Sequence, residues 1–199
     1  MGKLDGKVAL VTGSGRNIGR ATVLKLAAEG AHVVVNSRTN KAEADAVAQE
    51  VRAGGGKALS LLADVSKKEQ VDSMMSRALS EFGRIDILIN NAAIRPHKPF
   101  TELTLQDWEE VRGVVLDGAF YCIRAVIHSM VANQYGRILS TAPEPAWDVY
   151  LVFGKSVRWK GADPPHPDFW MQQLVAAQGK APHLDGAVFA KEVARLLGS

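Results

Sequence analysis

Five short apolar runs alternate with helical patterns along the first 142 residues, and this alternation limits the chain to very few architectures. Strands that are joined through helices pair in parallel, because each helical crossover brings the chain back to the same end of the sheet. We therefore predict an α/β fold built on a doubly wound parallel sheet. The five predicted strands span residues 8–12, 32–36, 57–63, 85–90 and 137–142.

The clearest helical pattern lies between the third and fourth predicted strands. Six apolar residues recur at i, i+3, i+4, i+7, i+8 and i+11, so they share one helical face. Ser66 and Glu69, three residues apart, predict a capping box at the start of this helix. The strand that follows is apolar almost throughout, which is typical of a strand covered on both faces. The six residues are Val71, Met74, Met75, Ala78, Leu79 and Phe82.

Composition excludes several classes of protein. The 24 Lys and Arg against 21 Asp and Glu give a net charge of only +3, and the basic residues are scattered among acidic ones, so we predict no nucleic-acid partner. No run of eighteen apolar residues and no apolar signal core occurs, so we expect a cytoplasmic protein without a membrane partner. Cys122 is the single cysteine, and no Cys/His cluster has zinc spacing, so we predict neither a disulfide nor a metal.

The composition changes after Ala142. Six of the eight prolines and three of the four tryptophans lie in the last 57 residues. We therefore divide the chain into a core, residues 1–142, and an atypical C-terminal segment of the same domain, residues 143–199. Within that segment the pattern predicts a strand over 147–153 and helices over 168–178 and 187–197.

A glycine-rich loop connects the first predicted strand to the first helix. Its sequence from Thr12 is Thr-Gly-Ser-Gly-Arg-Asn-Ile-Gly. Small residues let the backbone turn tightly and approach a pyrophosphate, while the free N–H groups and the positive end of the helix face that anion. The loop therefore predicts a dinucleotide site, which we assign to Gly13, Ser14, Arg16, Asn17, Ile18 and Gly19.

The loop resembles the Thr-Gly-x-x-x-Gly-x-Gly motif of the short-chain dehydrogenase/reductase family. Asn17 stands at the middle glycine of that motif. Asparagine is the residue that best tolerates a positive φ after glycine, so we expect the turn to be retained. The resemblance extends over residues 4–139 and implies a Rossmann-like fold.

Two further motifs carry the resemblance. Asp64-Val65 looks like the family's Asp-Val pair, whose Asp side chain binds the adenine amino group. Asn90-Asn91-Ala92-Ala93 is similar to the family's Asn-Asn-Ala-Gly, which supports the central sheet and borders the cofactor. The resemblance thus adds Asp64, Val65, Asn90 and Ala92 to the predicted cofactor site.

The end of the second predicted strand indicates which cofactor is used. A carboxylate there would accept hydrogen bonds from a ribose 2′-hydroxyl and repel a 2′-phosphate. The sequence has Ser37 and Arg38 instead. Arg38 can pair with a phosphate through a bidentate contact, and Arg16 can approach from the other side. We therefore predict NADP(H) as the cofactor.

The catalytic residues of the family are poorly matched. The resemblance implies a Ser after the fifth strand, a Tyr, a Lys four residues later that lowers the Tyr pKa, and an Asn in the preceding long helix. Alignment puts Pro143 at the Ser position and Val115, expected in the core, at the Asn position. Tyr150 and Lys155 are five residues apart in a segment with strand alternation. The catalytic candidates are Tyr150, Lys155 and Ser140.

Two hypotheses of function follow. The first is a short-chain dehydrogenase/reductase-like enzyme that transfers hydride between NADP(H) and a carbonyl or alcohol substrate. The alternative is a non-catalytic NADP(H)-binding protein, or an incomplete family member that lacks the Ser/Tyr/Lys site. By analogy with the family, the long helix predicted over 107–131 could pair two copies into a homo-oligomer.

Overall fold

The computed structural model describes residues 2–141. Several predictions fall on the remaining residues and lie outside the described part of the chain. They are Pro143, Tyr150 and Lys155, the strand over 147–153, and the helices over 168–178 and 187–197.

The described chain alternates strands and helices in the predicted order. A short 3-10 turn, Phe100–Glu102, precedes the fourth helix, and a π-helical turn, Gly113–Asp117, separates the fourth helix from the fifth. The elements are β1 (Val8–Val11), α1 (Asn17–Ala28), β2 (His32–Ser37), α2 (Lys41–Ala53), β3 (Ala58–Leu62), α3 (Lys68–Phe82), β4 (Ile87–Asn90), α4 (Leu105–Arg112), α5 (Gly118–Ala132) and β5 (Arg137–Ser140).

The five strands form one parallel sheet in the order β3-β2-β1-β4-β5. This confirms the predicted doubly wound α/β, Rossmann-like fold. The chain builds the sheet outward from β1 to β3 and then returns to the other side of β1 for β4. The helices on the two sides leave in opposite directions at this reversal, so a crevice opens at the carboxyl ends of β1 and β4.

Side-chain alternation along the strands divides the core into two layers. Ala9 and Val11 of β1 pack in the same cluster as the buried residues of α1 and α2. Leu10, between them, packs with residues of α3 and α5. All four residues of β1 are buried. A strand covered on both faces has to be apolar throughout, which explains the continuous apolar runs in the sequence.

Helix α3 confirms the predicted apolar face but not the predicted cap. Four of its six periodic residues are fully buried, and Leu79 and Phe82 are half-buried against the same cluster. The capping box of Ser66 and Glu69 is wrong, because the helix begins at Lys68 and its N-cap, Lys67, makes no side-chain cap. The hydroxyl of Ser66 instead donates to the carboxylate of Asp64.

The helix predicted over 107–131 is longer than expected and contains the π-helical turn. It begins at Leu105 behind a capping box formed by Thr104 and Asp107. The expectation that Val115 lies in the core is wrong: Val114 is buried, whereas Val115 is only half-buried. The wide turn changes the angular register of the helix, so the buried row is offset by one residue.

The helical stretch from Leu105 to Ala132 bears on two expectations, the absence of a membrane span and the role of Cys122. Leu105–Ala132 is long and apolar enough to cross a membrane by length and composition, and 28% of its most apolar window is buried. Its buried face packs with α3 and the sheet. Cys122 on that face is buried, and burial raises the pKa of its thiol to about 12. The thiol therefore behaves as a small apolar group, as expected.

Candidate nucleotide-binding site

A cleft of about 490 Å³ lies where the glycine loop meets the carboxyl ends of β2, β3 and β4. The chain reversal of the sheet predicts a ligand site at this position. Among the described residues, no group of three His, Cys, Asp or Glu side chains could hold a metal ion. The cleft is lined by ten of the twelve residues predicted to bind the cofactor, namely Gly13, Arg16, Asn17, Ile18, Gly19, Ser37, Arg38, Asp64, Val65 and Ala92.

The glycine loop presents an uncapped helix end to the cleft. Asn17 has a φ of 49°, which confirms that asparagine takes the left-handed conformation expected at the middle glycine. Arg16, the N-cap of α1, makes no side-chain cap, and the first turn carries no acidic residue. The N–H groups of this turn are thus left for an acceptor outside the helix, and the helix dipole favours an anion there.

Close packing explains why two of the loop positions are glycine. A Cβ on Gly19 would lie 2.6 Å from the carbonyl oxygen of Gly13 and 2.7 Å from the Cα of Ser14. A Cβ on Gly13 would lie 2.9 Å from the Cα of Ala92, and Gly13 itself has a positive φ of 61°. The loop therefore rests directly on the residues after β4 and forms a cradle that a side chain would fill. A dinucleotide diphosphate fits such a cradle.

Asn36, which the sequence analysis did not select, fixes the loop to the sheet. It is only 1% exposed at the end of β2. Its Oδ1 accepts from the Gly13 N–H at 3.0 Å, and its Nδ2 donates to the carbonyl oxygen of Ala63 at 3.1 Å. One amide side chain thus joins the glycine loop to the end of β3. A lone amide at the end of an apolar run was the signal that could have identified it.

Ser14 is the first predicted site residue that the structure places behind the cleft. It is fully buried and does not line the cleft. Its N–H donates to the carbonyl oxygen of Asn36 at 2.7 Å, and its hydroxyl donates to that of Val11 at 2.7 Å. The protein uses both donors of Ser14, so they serve the loop's shape and leave phosphate binding to the residues from Gly15 onward.

Thr12 and Asn91 join the start of the glycine loop to the end of β4. The Thr12 hydroxyl oxygen accepts from the N–H groups of Asn91 and Ala92, both at 3.0 Å. The Asn91 side chain donates in return to the carbonyl oxygens of Thr12 at 2.9 Å and Gly13 at 3.1 Å. These four hydrogen bonds fix the carboxyl ends of β1 and β4 relative to each other, at the point where the strand order reverses.

Asn90 is the second predicted cofactor residue that is absent from the described lining of the cleft. It is buried, and its Nδ2 donates to the hydroxyl oxygen of Ser140 at 3.3 Å. Its Oδ1 is buried without a partner among the described residues. Ser140 is half-buried at the end of β5 and also does not line the cleft. Its catalytic role stays a prediction, as do those of Tyr150 and Lys155 outside the described residues.

Charged side chains form part of the described lining of the cleft. Arg16 and Arg38 are exposed, and neither forms an ion pair with another described residue. Glu43, on the first turn of α2, also lines the cleft, with Oε2 3.5 Å from where a Cβ on Gly15 would lie. Glu43 was not among the predicted site residues, because it lies on the helix after β2 and not at the end of the strand. Arg16 and Arg38 are thus two cations without an ion-pair partner among the described residues, in a lining that also holds the carboxylates of Glu43 and Asp64.

Comparison with known proteins agrees with this geometry. The family model described as short chain dehydrogenase matches residues 7–146, most of the chain. The chain belongs to the short-chain dehydrogenase family. Members of this family use a nicotinamide dinucleotide, NAD or NADP, as cofactor.

Curated relatives include reductases and a dehydrogenase subunit. A 3-oxoacyl-(acyl-carrier-protein) reductase of Synechocystis is 42% identical over 140 residues, covering 70% of this chain and 57% of the relative. A (2S)-((R)-hydroxy(phenyl)methyl)succinyl-CoA dehydrogenase subunit of Thauera aromatica is 38% identical over 144 residues, covering 72% and 57%. This short-chain dehydrogenase thus spans a little over half the length of these two relatives.

Solved structures of the family superpose on the described fold. A short-chain dehydrogenase/reductase variant of Serratia marcescens matches with a TM-score of 0.67 and 34% identity, covering 71% of this chain and 57% of that one. A short-chain type dehydrogenase/reductase of Mycobacterium marinum matches with a TM-score of 0.67 and 33% identity, covering 70% and 57%. The family-model match to this dehydrogenase, residues 7–146, includes every described residue that lines the nucleotide cleft.

Proposed function

We propose that this short-chain dehydrogenase is an NADP(H)-dependent oxidoreductase that interconverts a carbonyl and an alcohol. The observation that carries the choice of NADP(H) is that two exposed cations, Arg16 and Arg38, line the cleft. The end of β2 carries Ser37 in place of a carboxylate. A 2′-phosphate would be attracted by both guanidinium groups, and Arg38 can hold it with two parallel hydrogen bonds.

Each part of the cleft has a distinct role in holding the dinucleotide. The first turn of α1 would bind the diphosphate with its uncapped N–H groups. Asp64 would accept a hydrogen bond from the adenine amino group, and the segment from Ala92 would border the nicotinamide riboside. When bound, NADPH supplies the hydride, from C4 of its nicotinamide. The chain's contribution is position and electrostatics.

We propose a 3-oxoacyl thioester as the substrate class. The Synechocystis relative is a reductase of 3-oxoacyl groups on acyl-carrier protein, and the Thauera relative is a dehydrogenase subunit for a hydroxylated succinyl-CoA. Acyl-carrier protein and coenzyme A both carry their acyl groups as thioesters. The proton would pass between the substrate oxygen and Tyr150, with Lys155 lowering the Tyr pKa and Ser140 orienting the carbonyl. Val115 leaves the family's Asn position without a polar group. Any proton relay through that position would therefore need water.

Ligand-dependent melting tests the cofactor. We expect NADPH at one hundred times its Kd to stabilise the chain by about 2.7 kcal/mol, with a smaller effect of NADH at equal concentration. Oxidation of NADPH is then followed with 3-oxoacyl thioesters as substrates. Turnover that Tyr150→Phe abolishes supports the enzyme. A melting temperature that neither dinucleotide moves would refute the proposed cofactor site.

A non-catalytic NADP(H)-binding protein is the second candidate. Val115 and Pro143, at the family's Asn and Ser positions, favour it. This candidate predicts the same stabilisation by NADPH but no oxidation of the cofactor with any ketone, aldehyde or 3-oxoacyl thioester. The assay for NADPH oxidation therefore distinguishes the two candidates, whereas the melting experiment does not.

We further propose that two copies pair through α4 and α5. The outer side of this stretch exposes large apolar side chains, including Trp108 at 62%, Phe120 at 56% and Val131 at 69%. A patch of this kind on a folded chain indicates a protein contact. Light scattering of the wild type and of Phe120→Asp tests it: we expect a dimer or larger assembly that the substitution dissociates.

A further inference from the structure

The carboxylate of Asp64 is held in place by its neighbour Ser66. Oδ1 of Asp64 accepts from the Ser66 N–H at 3.0 Å and from the Ser66 hydroxyl at 2.7 Å. Asp64 lines the cleft, whereas Ser66 does not. Ser66 therefore reaches the cleft only through the side chain of Asp64.

The backbone of Asp64 is fixed as well. Its N–H donates to Oε1 of Gln70 at 2.8 Å, and its carbonyl oxygen accepts from the Lys67 N–H at 3.0 Å. Ser66, Lys67 and Gln70, at and just before the start of α3, thus all hydrogen-bond to Asp64. Because Oδ1 accepts both hydrogen bonds from Ser66, rotation of the carboxylate is restricted. Its other oxygen, Oδ2, has no hydrogen-bond partner among the described residues and is left for a ligand.

We propose that Ser66 is a positioning residue for adenine recognition, holding Asp64 so that Oδ2 accepts from the 6-amino group of the purine. This inference rests on the proposed function and adds a selectivity to it. A 6-aminopurine offers a donor to the fixed oxygen. Hypoxanthine has a carbonyl oxygen at the same place, so two acceptors would face each other and repel. The hydroxyl of Ser66 makes this discrimination sharper because a rotating carboxylate could turn away.

The test compares two dinucleotides that differ only at that purine position. Fluorescence titration gives Kd values for NADPH and for its hypoxanthine analogue, deamino-NADPH. We expect the wild type to prefer NADPH by about tenfold, the size of one hydrogen bond to a charged group. In Ser66→Ala the preference should fall to about threefold, because the backbone bond remains. The change should come from a weaker Kd for NADPH.

Two further variants separate positioning from folding. Ser66→Thr keeps the hydroxyl and should restore the tenfold preference. Ser73→Ala removes an exposed hydroxyl from α3 and should leave both Kd values unchanged. An undiminished preference in Ser66→Ala overturns the proposal, and so does an equal loss of affinity for both dinucleotides, since that marks a structural role. If the wild type binds neither NADPH nor NADH, the proposed function fails, and this inference fails with it.

Discussion

The two edges of the sheet carry carboxylates whose hydrogen bonds are satisfied to different extents. At the amino edge, Asp86 is fully buried just before β4, and its carboxylate accepts from the Arg84 guanidinium and from the Val8 N–H. At the carboxyl edge, Asp64 has one oxygen held by Ser66 and one left open to the cleft. The carboxylate at the amino edge thus forms its hydrogen bonds within the protein, whereas the carboxylate at the carboxyl edge keeps one oxygen for a ligand.

This difference separates stability from binding. A polar group that the protein satisfies completely contributes to folding and has nothing left to offer a ligand. A group that is fixed on one side and open on the other is already oriented for a ligand, so binding loses less conformational entropy. We therefore expect substitutions at the amino edge to lower the free energy of unfolding and substitutions at the carboxyl edge to lower affinity.

The largest expected loss of stability is at the amino edge of the sheet. Asp86→Ala removes the acceptor of the Val8 N–H and the partner of Arg84, and should lower the free energy of unfolding by about 3 kcal/mol. Urea denaturation measures the loss. Asp72→Ala breaks the exposed pair with Lys68 and should change stability by less than about 0.5 kcal/mol. Equal losses in the two variants would contradict the comparison.

A substitution in the glycine loop should lower both stability and affinity for the cofactor. Gly19→Ala forces a Cβ against the backbone of Gly13 and Ser14, so we expect a loss of about 2 kcal/mol in stability and a displaced loop. NADPH should then fail to shift the melting temperature. Gly54→Ala, where the nearest atom is an ordinary 3.5 Å away, is the matched control. A Gly19→Ala protein that retained wild-type affinity would show that the cradle is not the phosphate site.

A substitution at the carboxyl edge should change the affinity for the cofactor and leave stability unchanged. Arg38→Ala should raise the Kd of NADPH about tenfold, because a charge-assisted phosphate contact is lost. The Kd of NADH and the free energy of unfolding should stay unchanged. Arg77→Ala, which removes an exposed cation from α3, controls for net charge. An equal effect of Arg38→Ala on both cofactors would mean that Arg38 does not contact the 2′-phosphate.

The smallest effect is expected where the polar groups are exposed, at the start of α4. Thr104→Ala removes an N-cap and should lower the free energy of unfolding by about 1 kcal/mol.

The hydrogen bond from Lys98, with those from Thr104, lowers the pKa of Asp107 from 3.8 to about 2. The lowered pKa means that the stabilisation from Asp107 is complete above the unfolded value and is lost as pH falls from about 4 to about 2.

Acid unfolding of Asp107→Asn checks this assignment. The variant should be less stable than the wild type at pH 6, and the difference should shrink as the pH falls to about 2. A difference that stays constant over this range would mean that the ionised carboxylate is not what stabilises the start of α4.

The sequence by itself determined the α/β alternation, the parallel sheet and the position of the nucleotide cleft. These features depend on local patterns: apolar runs covered on both faces, helical periodicity, and a glycine loop between a strand and a helix. Even the turn at Asn17 followed from the φ preference of a single residue. Local backbone chemistry carries this information, so no distant contact was needed to read it.

Only the tertiary structure decided what the polar side chains do. Ser66 has the spacing of a helix cap, but its hydroxyl bonds to Asp64. Asn36 contacts the glycine loop 23 residues away in the chain, and the π-helical turn places Val114 in the core in place of Val115. A polar side chain pairs with whichever partner the packed fold brings within about 3 Å, and residues distant in sequence become neighbours only when the strands pair.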